Sequence, residues 1–427
     1  MIYAADIILP ISNPPIANGA VLVTDGRINA VGVKDELLAA NPGEEVTEFA
    51  DAILMPGLVN LHGHLECSSF DFLAKPTPFS EWVGTIIQAG LKMQRDDWLS
   101  ASRAGVKKYF VSGITCTADI TRSGVGLQAV AEAGMPALVY LEAVGIDDRN
   151  LTDAVVDLLE RVKSAQSILG VGDIKVGLSP HSVYSLSKSA LKVCNDISLE
   201  YGLPLSIHLT ETQAEVELIC SGTGSLASTI GKKMRLEVIK QGGTGKTPAY
   251  YLNDLGLVRD SLIAAHGVWL SDRDIALLQE KGSAVAVCPT SNELLGSGEA
   301  PIKQFIEHGL EFGLGTDSPA SNPDMDLFVE ARKARAILEK QLGQAKPQSE
   351  VSAALSPKRL IEMMTLGAAR ILGFADDLGS IDPGKRADFI ILNHQDTASD
   401  PYDYLIETAS KSLISQTILS GNIVYNR

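Results

Sequence analysis

The sequence predicts a fold of the α/β class, a (β/α)8 TIM barrel, and the spacing of its apolar runs is the main reason. From about residue 55 to residue 370, short apolar runs alternate with stretches of helix-favouring composition, which is typical of β–α units and a parallel sheet. The eight runs are, in order, "GLVNLH", "GITCTADI", "PALVYLEAV", "IKVGLSP", "PLSIHLT", "SLIAAHG", "SAVAVCP" and "LEFGLGTD". Eight such units close into a barrel whose active site lies at the C-terminal ends of the strands.

The two ends of the chain have a different pattern, of short strands and tight turns. "GAVLVTDGRINAVGV" predicts a β-hairpin, because two alternating apolar runs flank the turn at Asp25-Gly26. "GSIDPGKRADFIILN" and "SQTILSGNIVYNR" predict further short strands near the other end. We therefore expect β-structure from both termini beside the barrel.

Composition and charge exclude several classes of protein. The chain has 427 residues, and 36 Lys and Arg against 52 Asp and Glu give a formal charge of −16, which offers no basic surface to nucleic acid. The first twenty residues lack Lys and Arg and are interrupted at Pro10, Pro14 and Pro15, which argues against a signal peptide or a membrane span. The five scattered cysteines form no Cys-x-x-Cys pair, so no disulfide framework is predicted. We expect a cytoplasmic enzyme.

Ionisable residues gather where the predicted strands end, which is where a barrel builds its active site. In chain order they are His62 and His64 after the first run, His181 after the fourth, His208 and Glu211 after the fifth, His266 after the sixth and Asp317 after the eighth. The two remaining histidines, His308 and His394, lie elsewhere, and we assign them no function.

Four of these residues predict a metal site. His62 and His64 are separated by one residue, so their side chains point to the same side of a strand. His208 and Asp317 complete a set of three imidazoles and one carboxylate, which suits one divalent ion, Zn²⁺ or Fe²⁺. Such an ion lowers the pKa of water from 15.7 to about 7 in favourable cases. The set therefore predicts metal-assisted hydrolysis.

Two further residues suit the proton transfers of that chemistry. Glu211 stands three residues after His208 in "HLTET", within reach of the same cavity, and is the candidate shuttle between water and a substrate nitrogen. His266 is the candidate for polarising the water or the bond under attack. Together they indicate addition of hydroxide to an electron-poor carbon and protonation of the leaving group.

Several motifs, in order, resemble those of one family over essentially the whole chain. They are "MPGLVNLHGH", "SPHSVYS", "IHLTET", "AHGVWLSDRDI", "CPTSN", "GLGTDSPASNPDMDLFVEAR" and "GSIDPGKRADFIIL". The chain thus resembles the amidohydrolase superfamily, in its branch of chlorohydrolases and of cytosine, guanine and adenosine-type deaminases. The resemblance implies a single metal without a carbamylated lysine, and a homodimer. It also implies a composite β-sandwich domain of residues 1–54 and 374–427, with the catalytic barrel at 55–373.

The resemblance assigns the same roles to the site residues. It implies metal ligation by His62, His64, His208 and Asp317, and it implies that Glu211 is the proton shuttle. His266 matches the histidine beside the attacking water, and Asp317 is expected to accept a proton from that water as well as to bind the ion. Catalytic roles are therefore expected for Glu211, His266 and Asp317.

Substrate contacts are also carried over from the resemblance. Glu81 in "PFSEWVG" matches a glutamate that binds the ribose diol in adenosine-type deaminases, although a solvated glutamate at a helix start is an equal alternative. Trp82 would cover an apolar substituent, and His181 matches a substrate-contacting histidine. Ser318 joins this set, as does Glu66, for which an ordinary loop acid is an equal reading.

The expected substrate is an adenine nucleoside. "HGHLECSS" resembles the aminodeoxyfutalosine deaminases of the menaquinone route more than the methylthioadenosine and S-adenosylhomocysteine deaminases, which remain the alternative together with adenosine deaminases. A hydrolase of a non-nucleoside C–N or C–Cl bond, as in triazines, also stays open. A non-catalytic scaffold is disfavoured, because every metal ligand is present. "KQGGTGKTPAYYL" is not a phosphate-binding loop, since Lys240 stands where that motif requires glycine.

Overall fold

In the computed structural model, eight parallel strands form the barrel that the apolar runs predict. The structure describes residues 1–166, 173–234, 236–343, 353–394 and 400–427. The barrel strands, each adjacent to the next in chain order, are β5 (Leu58–Gly63), β6 (Ile114–Thr121), β7 (Ala137–Ala143), β8 (Ile174–Pro180), β9 (Leu205–Leu209), β10 (Leu262–His266), β11 (Ala284–Val287) and β12 (Glu311–Leu314). A parallel bridge between Gly63 and Asp317 joins the last strand to the first and closes the barrel.

Strands from both ends of the chain form a second sheet. Its members are β1 (Ile2–Ile8), β2 (Ile16–Thr24), β3 (Arg27–Val33), β4 (Val46–Pro56), β13 (Phe389–Asn393), β14 (Ile414–Leu419) and β15 (Asn422–Asn426). They are hydrogen-bonded in the order β15-β14-β13-β4-β1-β2-β3 and enclose an apolar cluster that includes Tyr3, Val21 and Phe389. The predicted hairpin turn is present, with Asp25 and Gly26 both at positive φ. The predicted fold class is confirmed, while the domain bounds 1–54, 374–427 and 55–373 stay a prediction.

Most of the helices follow barrel strands and cover the outside of the barrel, while the first one packs against the terminal sheet. They are α1 (Lys34–Ala40), α2 (Phe79–Gly90), α3 (Arg95–Val111), α4 (Val125–Glu132), α5 (Leu151–Gln166), α6 (Lys188–Tyr201), α7 (Gln213–Ser221), α8 (Gly224–Leu226), α9 (Glu237–Lys240), α10 (Pro248–Asp254), α11 (Asp272–Glu280), α12 (Pro289–Leu294), α13 (Ile302–His308), α14 (Leu327–Leu342), α15 (Pro357–Met363), α16 (Leu366–Ile371) and α17 (Pro401–Thr408). Short 3-10 turns occur at Leu65–Cys67, Asp71–Leu73 and Lys411–Leu413, and a π-helical turn occurs at Ala227–Gly231. No helix in the described part of the chain is long and apolar enough to cross a membrane.

Glycine lets two barrel strands approach their neighbours. A Cβ on Gly315 would lie 2.7 Å from the Cβ of His62, and a Cβ on Gly177 would lie 2.5 Å from the Tyr140 ring. Neither space admits a larger residue without movement of the neighbour. Gly315 therefore gives His62 its room between the first and last strands.

Alternation along β7 places a carboxyl group inside the barrel. Leu138 and Tyr140 pack in the apolar cluster within the barrel, whereas Val139 packs toward the surrounding helices. Glu142 continues the inward series at the C-terminal end of the strand, and only 8% of its surface is exposed. Burial, together with the nearby Glu66, raises the pKa of Glu142 to about 8.

Replacing Glu142 with Gln should change how stability depends on pH. The ordinary pKa of 4.5 applies in the unfolded chain and a pKa of about 8 in the folded one, so the wild type loses stability as pH rises between these values. Near pH 4.5 we expect E142Q and the wild type to have the same free energy of unfolding. Near pH 8 we expect the free energy of unfolding of E142Q to be higher, by on the order of 1 kcal/mol or more. Urea unfolding of metal-free protein measures the difference. A difference that stays constant with pH contradicts the prediction.

Candidate active site

Four side chains at strand ends meet at the C-terminal mouth of the barrel. The Nε2 atoms of His62 and His64 lie 3.7 and 3.6 Å from Oδ1 of Asp317. His64 Nε2 lies 3.3 Å from His208 Nε2. The structure thus brings together the set predicted to bind a metal, with donor atoms from the first, fifth and eighth barrel strands.

Backbone contacts between strands hold this arrangement. The Asp317 amide donates to the His62 carbonyl at 3.0 Å, and the His208 amide donates to the His181 carbonyl at 2.9 Å. Asp317 and His266 both have positive φ, 57° and 70°, a conformation that non-glycine residues adopt at a cost. Such conformations persist when the surroundings enforce them, and they gather at functional sites.

Hydrogen bonds on the far side of two rings fix which nitrogen faces the site. His208 Nδ1 lies 3.1 Å from the His181 carbonyl oxygen, which can only accept, so Nδ1 carries the proton and Nε2 offers a lone pair. His266 Nδ1 lies 2.9 Å from Asn292 Oδ1 and is oriented in the same way. His64 has a backbone hydrogen bond to Ile120. The rings are therefore oriented before any ligand binds.

The chemistry of the donor set fits a divalent cation. His62 Nε2 is buried and has no hydrogen-bond partner among the described residues. Burial lowers the pKa of His62, His64 and His208, which favours neutral imidazoles. Burial acts to raise the pKa of Asp317, but His62, His64, His266 and the Ser321 hydroxyl lower it to about 2. Three neutral nitrogens and an ionised carboxylate are a usual environment for zinc or ferrous iron.

Glu211 and His266 lie beside the four donor residues. Glu211 Oε1 is 3.9 Å from His266 Nε2, and both side chains are buried. Burial raises the pKa of Glu211 to about 7, and His266 acts in the opposite direction. A carboxyl group with this pKa exchanges a proton near neutral pH, which general acid–base catalysis requires.

The predicted substrate residues are spread around the mouth. The ring of His181 lies 4.6 Å, between centroids, from the ring of His208, and burial lowers its pKa to about 3. Ser318 is buried, and its carbonyl accepts from the amides of Ser321 and Asn322 in the turn after β12. His181 and Ser318 therefore border the metal-binding set, because the His181 ring contacts the His208 ring and Ser318 directly follows Asp317.

Glu81 and Trp82 lie on α2, which is hydrogen-bonded to the segments that follow β11 and β12. The amides of Thr77 and Phe79 donate to carbonyls of Leu294 and Leu295 after β11, and Trp82 Nε1 donates to the Ala320 carbonyl after β12 at 3.0 Å. Trp82 is half-buried and Glu81 is exposed in the first turn of the helix. The sequence predicts that Glu81 binds the substrate, and in the structure its side chain is exposed to solvent.

Glu66 has a full set of internal partners. Its carboxylate accepts from the Thr121 hydroxyl, from the amides of Arg122 and Ser123 and from the Ser123 hydroxyl, at 2.7 to 3.1 Å. Glu66 is buried, and these bonds tie the turn after β5 to the turn after β6. A structural role explains this geometry without a substrate.

Three neutral residues of the site were not singled out from the sequence. Asp317 Oδ2 accepts from the hydroxyls of Ser291 and Ser321, both at 2.7 Å, which leaves Oδ1 toward the histidines. Asn292 orients His266, as described above. These residues belong to "CPTSN" and "SPASN", directly after predicted strands, so a search of strand ends for hydroxyls and amides as well as ionisable groups finds them.

The glycine-rich segment before α10 does not form a phosphate cradle. The amides of Gly243, Thr244 and Gly245 donate to carbonyls of Val238, Ile219 and Cys220. A phosphate-binding loop needs such amides free to face the ligand. All five cysteines are free, as the sequence predicted.

Comparison with characterised proteins gives relatives along the whole chain. 5-Methylthioadenosine/S-adenosylhomocysteine deaminase of Moorella thermoacetica is 29% identical, over 98% of this chain and 92% of its own. 5'-Deoxyadenosine deaminase of Methanothermobacter thermautotrophicus is 30% identical, over 96% of this chain and 90% of its own.

Solved structures share the fold at lower identity. An adenosine deaminase from Xanthomonas campestris with bound zinc has a TM-score of 0.82 at 24% identity, covering 99% of this chain and 92% of its own. Aminofutalosine deaminase from Helicobacter pylori, in complex with methylthio-coformycin, has a TM-score of 0.82 at 19% identity, covering 99% of this chain and all of its own. These similarities show the fold.

The family model described as Amidohydrolase family matches residues 53–424, which include every strand of the barrel and the site at its mouth. The resemblance read from the sequence motifs is thereby confirmed. The chain belongs to the amidohydrolase family and is a hydrolytic enzyme that acts on C–N bonds.

Proposed function

We propose that the protein is a metal-dependent deaminase of adenine nucleosides, which replaces the exocyclic amine by oxygen and releases ammonia. The observation that carries this proposal is the convergence of His62, His64, His208 and Asp317 beside the protonatable Glu211. Relatives with 29–30% identity along the chain are named as deaminases of adenine nucleosides, which supports the same reaction.

His62, His64, His208 and Asp317 would hold one divalent ion, Zn²⁺ or Fe²⁺, as argued from the orphaned His62 nitrogen and the neutral imidazoles. When bound, such an ion supplies hydroxide near neutral pH, because it lowers the pKa of water. The zinc in the Xanthomonas campestris deaminase structure supports zinc as the first choice.

The chain's own groups would carry the protons. Glu211 gives a proton to the ring nitrogen next to the attacked carbon, which makes that carbon more electron-poor. Asp317 takes a proton from the attacking water, and His266 Nε2, held by Asn292, accepts a hydrogen bond from it. Glu211 then takes the second proton of the water from the hydroxyl now on the carbon and passes it to the amine, which leaves as ammonia. The proton on Asp317 returns to Glu211, so one water and one amidine become one carbonyl and one ammonia, and both carboxyl groups regain their starting states.

Substrate contacts are assigned to the groups around the mouth. His181 and Ser318 border the metal-binding set and would contact the base, while Trp82 on α2 would cover an apolar part of the substrate. Glu81 would accept two hydrogen bonds from the ribose diol at the rim. Glu66 is left out of the contact set, because its oxygens are already used within the protein.

Aminodeoxyfutalosine is the substrate that "HGHLECSS" favours, which would place the enzyme in menaquinone biosynthesis. Methylthioadenosine, S-adenosylhomocysteine and 5'-deoxyadenosine form the second candidate set, which the 29–30% identical relatives favour. A triazine chlorohydrolase is disfavoured, because chloride leaves without a proton and has no need of Glu211. The cytoplasmic location and the homodimer stay predictions.

Ammonia release from a substrate panel tests the proposed function. The zinc-loaded protein is assayed with aminodeoxyfutalosine, methylthioadenosine, S-adenosylhomocysteine, 5'-deoxyadenosine, adenosine, guanine and a chlorotriazine. We expect kcat/KM for at least one adenine nucleoside above about 10⁴ M⁻¹ s⁻¹, which is ordinary for an enzyme on its own substrate. Absence of ammonia from every nucleoside, with metal bound, would overturn the proposal.

Metal content tests the ligand assignment. We expect one zinc or iron per chain in the wild type, and an affinity at least about 100-fold lower in D317N, because the amide removes the only ionised ligand. Elemental analysis after dialysis measures the content. H308A is the matched control, since His308 lies exposed at the end of α13 and should leave metal content unchanged. A full equivalent of metal in D317N would be inconsistent with the assignment.

Glu81→Ala tests the sugar contact. Loss of two charge-assisted hydrogen bonds should raise KM for ribonucleosides by about 10- to 100-fold and leave a 2',3'-dideoxy analogue nearly unaffected. Steady-state kinetics on both substrates measure the difference. E36A is the control, because Glu36 is likewise exposed in the first turn of a helix, α1, in the terminal sheet domain. Equal kinetics of E81A and wild type on ribonucleosides would remove Glu81 from the site.

A further inference from the structure

Glu215 is a buried carboxyl group whose two oxygens both bind the backbone beside Glu211. Oε1 accepts from the Thr210 amide at 2.9 Å, and Oε2 accepts from the Glu211 amide at 3.2 Å. No part of Glu215 is exposed. Its contacts therefore fall on the segment that leads from the metal-binding His208 to Glu211.

This geometry differs from that of an ordinary helix cap. Thr212 is the N-cap of α7, and its hydroxyl accepts from the Glu215 amide, so Glu215 occupies the third position of the helix. A glutamate at this position usually reaches back to the amide of the N-cap residue. Glu215 instead reaches the amides one and two residues before Thr212. Stabilising α7 alone does not require that longer reach.

The segment held by Glu215 is strained and fixed from the opposite side as well. Thr210 has a positive φ of 49°, which is costly for a β-branched residue. Its carbonyl accepts from the Trp269 amide at 2.9 Å, and the neighbouring Leu209 carbonyl accepts from the Gly267 amide at 3.1 Å. Contacts from α7 and from the loop after β10 thus enforce a single path for the chain as it turns into the site.

We propose that Glu215 is a positioning residue, which aims the Glu211 side chain at the reacting atoms by holding the amides of Thr210 and Glu211. The role rests on the proposed function, in which Glu211 moves the proton. A carboxyl group has acceptor lone pairs on both oxygens, whereas glutamine has one acceptor and one donor. In E215Q the donor faces a backbone N–H, so one of the two amides loses its partner and Glu211 is free to shift.

Kinetics of three variants test the proposal. In zinc-loaded E215Q we expect kcat lower by about 10- to 100-fold, because a misplacement of about 1 Å has this cost, with KM within about threefold of wild type. The pH at which activity is half-maximal should also move, since Glu211 no longer occupies its original environment. E215D keeps both acceptor oxygens on a shorter side chain and should recover part of kcat. E211Q gives the activity that remains without the shuttle.

D274N is the matched control for general destabilisation. Asp274 is a buried carboxylate that accepts from the Ser271 amide at 2.9 Å, at the start of α11, and has no hydrogen bond to the Thr210–Glu211 segment among the described residues. Both D274N and E215Q should lower Tm, but D274N should keep the kcat and pH profile of wild type. Wild-type kcat in E215Q, or an equal loss of kcat in D274N, would overturn the positioning role.

Crystal structures of zinc-loaded wild type and E215Q separate this inference from the proposed function. We expect His208 to stay in place and the Glu211 carboxyl to move by about 1 Å or to occupy two positions. If the wild type releases no ammonia from any nucleoside, the proposed function fails, and the position of Glu211 in E215Q still tests the role of Glu215. If the Glu211 carboxyl does not move in E215Q, the positioning role of Glu215 is overturned.

Discussion

The hydrogen bond from the Asp317 amide to the His62 carbonyl is the contact on which the site depends. It joins the last barrel strand to the first, beside the bridge between Gly63 and Asp317. The side chains of the same two residues lie 3.7 Å apart and face each other at the mouth. Closing the barrel and assembling the donor set are therefore one event. Gly315 permits this closure, because any Cβ there would collide with His62.

Burial then sets the charge of the site. It favours neutral imidazoles at His62, His64 and His208, and it keeps a proton on Glu211 up to a pH of about 7. Asp317 has a pKa of about 2 and stays ionised, and the hydroxyls of Ser291 and Ser321 donate to its Oδ2. A cavity with three nitrogen lone pairs and a single negative charge attracts a divalent cation and leaves it with net positive charge. That remaining charge is what a bound water needs in order to lose a proton near neutral pH.

The sequence predicted the barrel, and the four side chains that it singled out as metal ligands lie together at the mouth, for a physical reason. Barrel strands are buried on both faces, so each appears as a continuous apolar run, and a polar residue that closes such a run lies at an end of the barrel. The same reasoning does not identify residues whose role depends on a hydrogen-bond partner that is distant in the sequence. Asn292 and Ser291 were missed because a neutral amide or hydroxyl after a strand has no distinctive spacing. For Glu66 the sequence left a substrate contact and an ordinary loop acid as equal readings, and only the structure shows that both of its oxygens accept hydrogen bonds in the turn after β6.

Substrate choice depends on parts of the chain that the barrel does not fix. The fold alone cannot select a substrate, because one barrel architecture supports many activities. Under the proposed function, Trp82 and the exposed Glu81 on α2 select the substrate, and this helix is bonded to the segments after β11 and β12 through Thr77, Phe79 and Trp82. Under that proposal, a substrate contacts both the donor set and Glu81 only if it extends from one to the other. We expect a nucleoside, with its base at the metal-binding set and its sugar outward, to meet this requirement and a small triazine to fail it.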